Sequence, residues 1–409
     1  MPGFADGEYS GTRWFFNNDD LIKKNPDYHL TVNMASVRCD GLESAIDFAD
    51  EYNFCTADGQ ILFQKKGDEY RRIIGTWDVM ALPGITARKG MEQLVPVSNW
   101  RGYCSKHNFA GAATRGGENA VAGFYFEKMN GSEKDGVNDR GAINQKNPLL
   151  YGIKAHKSYF MLGDYLIALG AGITNLHTDV EGDIHTTIDQ TAKSGIVRIH
   201  KGKEVSELAK PGSAVSFLQD GNPVWVAQEG GFAYTILPEH TANANFIYEQ
   251  KANEWDKRNQ SNKKKTGLPE TADILRLWID HGTAPVDATY GYVVYCGEGI
   301  PAEKKHPFRV LRNDTLVQAV QLNDKSVVEA VFYQDNQTLK AGNLVIGTSS
   351  PAVVLLEKAG KEYQLTVNDP EMNADLKELT VIINKKLIKI EMPQGEFCGK
   401  PVTRRIGKL

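Results

Sequence analysis

The chain has 409 residues, with 47 basic and 51 acidic side chains intermixed and a net charge of −4, which is long enough for two domains that each bury a core. It carries no basic stripe of the kind that tracks a phosphate backbone, and no apolar run approaches the ~20 residues of a membrane span. Neither nucleic acid nor a membrane is therefore an expected partner. Five cysteines (Cys39, Cys55, Cys104, Cys296, Cys398), odd in number and without a CxxC pair, read as free and mostly buried thiols.

From the N-terminus, Met1–Tyr9 shows neither a basic n-region nor an apolar h-region, so no signal peptide is visible. Strand signals punctuated by Gly, Asn and Asp then recur along the chain: His29–Ser36, Gln60–Gln64, Val121–Phe126, Ile196–His200, Val224–Ala227, Phe232–Ile236, Tyr290–Cys296, Val327–Tyr333, Leu344–Ile346, Ala352–Glu357 and Thr380–Ile383. Helical periodicity is nearly absent, and only Leu42–Tyr52 and Ala272–Leu277 are expected as short helices. The Gly-rich stretch Gly111–Gly123 has no strand–GxGxxG–helix or GK[ST] context and reads as a hairpin connection. Lys157–Leu162, the Gly163-Asp164 turn and Tyr165–Leu169 form the clearest hairpin, with Gly170 and Gly172 expected to close it. In Tyr290-Gly-Tyr292 the two aromatics point to one face.

The run His177, Asp179, Glu181, Asp183, His185 is rich in oxygen and nitrogen donors. It fits no EF-hand or zinc spacing, so a solvated loop is the simpler reading and a structural divalent cation such as calcium the sharper one. No cysteine or histidine spacing points to a catalytic metal. Lys263-Lys264-Lys265 sits among polar residues and reads as a solvated loop. The turn-rich segment Gly297–His306 marks a boundary, dividing the chain into a large sandwich over 1–304 and a smaller one over 305–409. The predicted class is all-β: a large multi-stranded antiparallel β-sandwich followed by a smaller C-terminal β-sandwich.

Several stretches, in order, resemble the polysaccharide lyases of family 8, the hyaluronate, chondroitin and xanthan lyases. They are His29-Leu-Thr-Val-Asn-Met-Ala-Ser-Val-Arg38 with Glu43-Ser44, the Asp58-Gly59 turn, and Glu69-Tyr70 as a following strand. Next come Trp77-Asp-Val-Met-Ala-Leu-Pro-Gly-Ile-Thr86, Phe109–Ala113 with Val121–Phe124, the Lys157–Ile173 hairpin, and Asp280-His-Gly282 leading to Tyr290–Tyr295. The likeness is particularly to chondroitin ABC lyases. It implies a galactose-mutarotase-like supersandwich, a smaller C-terminal sandwich, and an extracellular or periplasmic protein acting on a uronic-acid-containing, glycosaminoglycan-like polymer.

Such enzymes work by β-elimination, and the resemblance implies that no organic cofactor is needed. The carboxylate beside C5 must be neutralised by a donor, a base takes the C5 proton, and an acid protonates the departing O4. In the family an N-terminal α/α toroid supplies Asn, His, Tyr and Arg for these tasks. This chain is expected to begin near where that toroid ends, so a missing or separate toroid is an implied partner and activity of the chain alone is expected to be slight. The resemblance assigns Glu43 a supporting role, orienting the catalytic Arg and Tyr. Arg38 and Asn53 are the expected substrate contacts. The chain departs from the pattern at Ile46, where many relatives carry Asn.

Tyr28 and His29 are adjacent in a strand and point to opposite faces, so they do not converge on one proton. His281 is expected to be structural. Trp14, Phe15, Phe16, Trp77 and Trp100 with Arg101 can stack on sugars if exposed, but core packing is their default. The competing reading is a non-enzymatic carbohydrate-binding β-sandwich or accessory subunit.

Overall fold

A computed structural model describes residues 10–40, 52, 54–94, 103–130, 147–213, 215–218, 221–255, 269–303 and 305–409. Among the described residues, strands each antiparallel to their neighbours build five sheets, punctuated by 3₁₀ turns such as Arg71–Ile73 and Pro238–Asn243. The spine is a ten-stranded sheet. Its order is Glu204–Glu207, Val197–Lys201, Val224–Gln228, Ala233–Ile236, Ala288–Tyr295, Tyr165–Asn175, Ile153–Leu162, Ala120–Asn130 and Tyr103–Ser105, with Ala110–Thr114 also pairing onto Ala120–Asn130.

Both faces of this sheet are covered. In Ile153–Leu162 the period-2 alternation sends Ala155, Tyr159 and Met161 into one core and Phe160 and Leu162 into another. The first core is closed by an N-terminal sheet (Gly11–Phe15, Asp20–Lys24, His29–Asn33, Gln60–Gln64) and by a second small sheet (Ala244–Ala252, Thr271–Asp280, Ile184–Ala192, Thr86–Arg88). The other core is closed by the six-stranded sheet of the C-terminal region: Phe308–Asn313, Val317–Leu322, Val327–Phe332, Ala352–Ala359, Glu362–Asn368 and Val402–Gly407. Behind it a separate core lies under Thr338–Ala341, Leu344–Thr348, Glu378–Ile383 and Lys386–Glu391. The molecule is thus an all-β supersandwich joined to a smaller C-terminal sandwich. The seam between them is polar as well as apolar: Ser158 Oγ donates to Gln318 Oε1 at 2.5 Å and lies 2.8 Å from the Tyr333 hydroxyl, and Arg115 pairs with Glu357 at 2.6 Å.

Three local expectations are corrected. Ala272–Leu277 is not helical but lies inside the strand Thr271–Asp280. Its buried residues Ile274 and Leu277 satisfy an i, i+3 spacing, yet pairing on both sides with Ile184–Ala192 and Ala244–Ala252 decides the backbone. Glu69-Tyr70 is a turn rather than a strand, because the Glu69 carboxylate accepts the backbone N–H groups of Lys65, Lys66 and Gly67 at 2.7–2.8 Å. The hairpin does not close at Gly170 and Gly172 but runs on to Asn175 through a bulge. The expected helix over Leu42–Tyr52 falls almost wholly outside the described residues, as do Lys263–Lys265, Trp100 and Arg101.

Gly170 is needed for close approach. A Cβ there would stand 2.0 Å from the Tyr290 ring, whose neighbour Tyr292 stacks beside it at 5.8 Å. Gly170→Ala is expected to lose about 1–3 kcal/mol by overpacking, read as a lower urea midpoint, whereas Gly117→Ala, which meets nothing within 4 Å, leaves the midpoint unchanged.

Candidate functional site

Glu43 and Asn53 lie outside the described residues, so the candidate site is defined by what stands on either side of the segment between Asp40 and Phe54. On the upstream side Arg38 lies inside the tight turn closed by the bridge between Ser36 and Cys39. Its Nη1 donates to Asn108 Oδ1 at 2.7 Å and to the Pro370 carbonyl at 3.2 Å. Its Nη2 donates to the Ala110 carbonyl at 3.0 Å and to Asp19 Oδ1 at 3.2 Å. Asp19 is buried and also accepts the Ser36 hydroxyl at 2.5 Å; burial pushes its pKa up against the pull of Arg38. The Arg38 guanidinium therefore ties three parts of the chain together, including the C-terminal sandwich, and its side chain remains 20% exposed.

On the downstream side Phe54–Gly59 sits on two buried lysines. Lys128 Nζ donates to the Phe54 carbonyl and to Asp58 Oδ1, each at 2.7 Å, in an ion pair whose side chains are 1% and 5% exposed. Lys157 Nζ donates to the Asp58 carbonyl at 2.9 Å and to the Gly84 carbonyl at 2.7 Å. The placement follows from register: residue 157 shares the Ala155–Tyr159 face of its strand and so points into the core behind the segment rather than toward the C-terminal sandwich. Burial pushes the Lys157 pKa down to about 7 in spite of the nearby Asp58. Aromatic rings close the arrangement, with Phe54 edge-on to Tyr52 (6.2 Å) and Tyr103 (5.8 Å), and Lys128 5.0 Å from the Tyr103 ring centre.

The remaining candidates separate into different places. Tyr28 is buried with its hydroxyl donating to Asp164 at 3.2 Å, while His29, opposite Gln64, is half-buried and held below its ordinary pKa by desolvation. The two side chains do not meet. His281 Nε2 lies 2.9 Å from Thr186 Oγ1, which itself lies 2.9 Å from Thr86 Oγ1, and burial pushes the His281 pKa down to about 4. It is a structural bridge between strands. Trp14 is buried and donates its indole N–H to the Gly399 carbonyl at 3.2 Å, so it serves the seam. The cysteines are free, and all but the half-buried Cys39 are buried.

Of the donor-rich run, Asp183 and His185 come together with Asp280, which sequence reading had not joined to them. One ligand atom from each lies within 4.8 Å of the others, a set of two oxygens and one nitrogen. His185 is stacked on Trp278 at 5.7 Å and burial lowers its pKa, which favours the neutral, ligand-competent imidazole. These are the residues that can hold a divalent cation.

Chemically, charge fixes the described residues on both sides of the Glu43 segment: Arg38 is tied to Asp19 upstream, and Phe54–Gly59 rests on buried lysines downstream. Sequence reading missed Lys128 and Lys157 as its anchors. The signal was a lysine on the core face of each of two largely apolar strands, Ala120–Asn130 and Ile153–Leu162.

Residues 10–304 match the super-sandwich domain of polysaccharide lyase family 8, and residues 309–378 match the C-terminal beta-sandwich domain of the same family. The chain belongs to polysaccharide lyase family 8. It is 27% identical to the chondroitinase-AC of Pedobacter heparinus over 402 residues, covering 95% of this chain and 51% of that protein. A hyaluronate lyase of Enterococcus faecalis is 23% identical over 400 residues, covering 94% of this chain and 36% of that protein. In fold it is similar to a chondroitinase AC lyase solved with oligosaccharides (TM-score 0.78, 24% identity, 96% of this chain and 54% of that one). It is also similar to a Paenibacillus xanthan lyase (TM-score 0.71, 19% identity, 93% of this chain and 34% of that one). The chain spans about half or less of the length of these relatives. Among the described residues no helix is long and apolar enough to cross a membrane.

Proposed function

We propose that this chain is the β-region of a lyase that cleaves a uronic-acid-containing glycan by β-elimination, with the base and acid supplied by a helical toroid outside it. The observation that carries the reading is that both family domains are present in order, while the described residues flanking the segment that bears Glu43 are tied down by Arg38–Asp19 upstream and Lys128–Asp58 downstream. A carboxylate that orients the catalytic Arg and Tyr must keep its position as the substrate enters, and a part-buried ion pair before its segment and a buried one after it serve that need. Glu43 is the positioning group in this reading, and Arg38 and Asn53 are the residues assigned to substrate contact. The polymers concerned are extracellular, so an extracellular or periplasmic setting is part of the proposal.

The test is release of unsaturated uronate, followed by its ultraviolet absorbance, from hyaluronan, chondroitin sulfates and xanthan. The folded chain alone is expected to give no product, and the chain joined to a family toroid is expected to give it. Glu43→Gln in the joined enzyme is expected to lower kcat about 10–100-fold with little change in KM. Product from the isolated chain would show that the β-region carries its own base and overturn this division of labour.

A further inference from the structure

A cleft of about 300 Å³ opens where the turn after Val197–Lys201, the start of Val224–Gln228 and the Ile300–Glu303 linker meet. Its polar lining is His200, Lys203, Asn222 and Glu303, with Trp225 and Pro301 as its apolar wall. His200 and Trp225 are cross-strand partners, so their side chains rise from the sheet side by side. Trp225 is locked in place: its ring stands edge-on to Tyr295 at 6.5 Å and to His306 at 5.8 Å. The residue is 6% exposed, and its indole N–H has no acceptor among the described residues. Lys203 is exposed on the Gly202 turn, and neither it nor the Asn222 amide has a hydrogen-bond or ion-pair partner among the described residues. Glu303 is held only loosely, by the Tyr165 hydroxyl at 3.5 Å.

A rigid indole and several unspent donors facing one half-open space is the composition of a polar ligand site rather than of a packing defect. The donors outnumber the single carboxylate acceptor, so the complementary ligand is rich in acceptors, and Lys203 offers a partner to one acidic group on it. In sheet order the cleft lies six strand spacings, roughly 29 Å, from Tyr103–Ser105, the strand against which Phe54 packs.

The geometry points to this cleft as a further glycan-binding site, taking an oligosaccharide whose uronate carboxylate meets Lys203 while ring hydroxyls and carbonyls meet Asn222, the Trp225 N–H and Glu303. The choice of an acidic glycan rests on the lyase reading; the cleft and its unspent donors do not. A long polymer that touches both this cleft and the cleavage region gains effective concentration from the second contact, which suits an enzyme acting on a chain many sugars long.

The experiment is a titration of the chain, labelled with ¹⁵N at its tryptophan indoles, with a hyaluronan hexasaccharide and separately with maltohexaose as the neutral control. The Trp225 signal is assigned by its loss in Trp225→Phe. Saturable movement of that signal with the acidic sugar alone is expected. Binding should be about tenfold weaker in Lys203→Glu and measurably weaker in Asn222→Ala, both surface positions whose spectra otherwise report an intact fold. It should also weaken as salt is raised. A stationary Trp225 signal, equal response to the neutral sugar, or unchanged affinity in both variants would overturn the proposal. Product release by the toroid-joined enzyme with an unmoved Trp225 signal would discard the cleft and leave the lyase reading standing. Saturable binding at the cleft without product from that enzyme would do the reverse.

Discussion

Lys128→Met is expected to destabilise the chain by about 3–5 kcal/mol, the cost of leaving one partner of a buried ion pair uncompensated. The methionine retains most of the stem volume, so the loss is electrostatic rather than a cavity. Asp58, 5% exposed, would lose its counterion, and the Phe54 carbonyl would lose a 2.7 Å donor. Lys157 does not substitute, because its ammonium is spent on the Asp58 and Gly84 main-chain carbonyls. Urea denaturation measures the single variant, and Lys128→Met combined with Asp58→Asn should recover part of the loss, since it removes the orphaned charge. A cost below about 1 kcal/mol for the single variant, the range of an exposed pair, would mean that the Asp58 carboxylate finds another partner and that Phe54–Gly59 is not pinned as proposed. Because this pair stands beside the segment bearing Glu43, the same substitution in a toroid-joined enzyme is expected to reduce kcat more than KM.

The stability of the fold should also depend on pH through Asp189. This residue sits at a bulge in Ile184–Ala192, 1% exposed, with Oδ2 accepting the Tyr234 hydroxyl at 2.5 Å and Oδ1 the Tyr70 hydroxyl at 3.2 Å. Burial pushes its pKa up to about 7, although both phenols stabilise the ionised form. The folded value therefore lies above the unfolded one, near 3.8, and the native state keeps the proton longer. The advantage of the neutral form is complete below about pH 4 and is lost as pH rises through about 7. Asp189→Asn cannot ionise and should escape that loss. Its stability relative to the parent chain is expected to rise by up to about 4 kcal/mol between pH 4 and pH 8, taking 1.36 kcal/mol per pKa unit. Denaturation curves at a series of pH values measure the difference. A difference that stays flat would mean the two phenols hold Asp189 ionised throughout.

The all-β class, the Gly163-Asp164 turn and the pairing of Tyr290 with Tyr292 were legible in the sequence because each depends on neighbours a few residues away. Period-2 alternation and turn chemistry act locally, and the resemblance of whole strings such as Lys157–Ile173 extends that local legibility to the family. The errors arose where distant strands decide. Ala272–Leu277 satisfies a helical spacing by itself and becomes a strand only because Ile184–Ala192 and Ala244–Ala252 lie against its two edges. Gly170 reads as a stop in sequence, but it is the space that the Tyr290 ring occupies from another strand.

The site residues divide in the same way. Glu43 came from motif resemblance, and Asp183 and His185 from a dense run of donors. Asp280, the third member of their group, stands 95 residues beyond His185 and reaches it by strand pairing. Lys128 and Lys157 carry no mark of their role beyond being charges on core-facing strand positions, and only packing shows that both converge on Phe54–Gly59. The cleft at Trp225 is still less visible, since Lys203, Asn222 and Glu303 belong to three separate turns. Local chemistry thus determined the elements and their family. Which charges are buried, which donors go unspent and which carboxylates meet was decided only by non-local β-pairing, because an antiparallel sheet places side by side residues that the chain holds far apart.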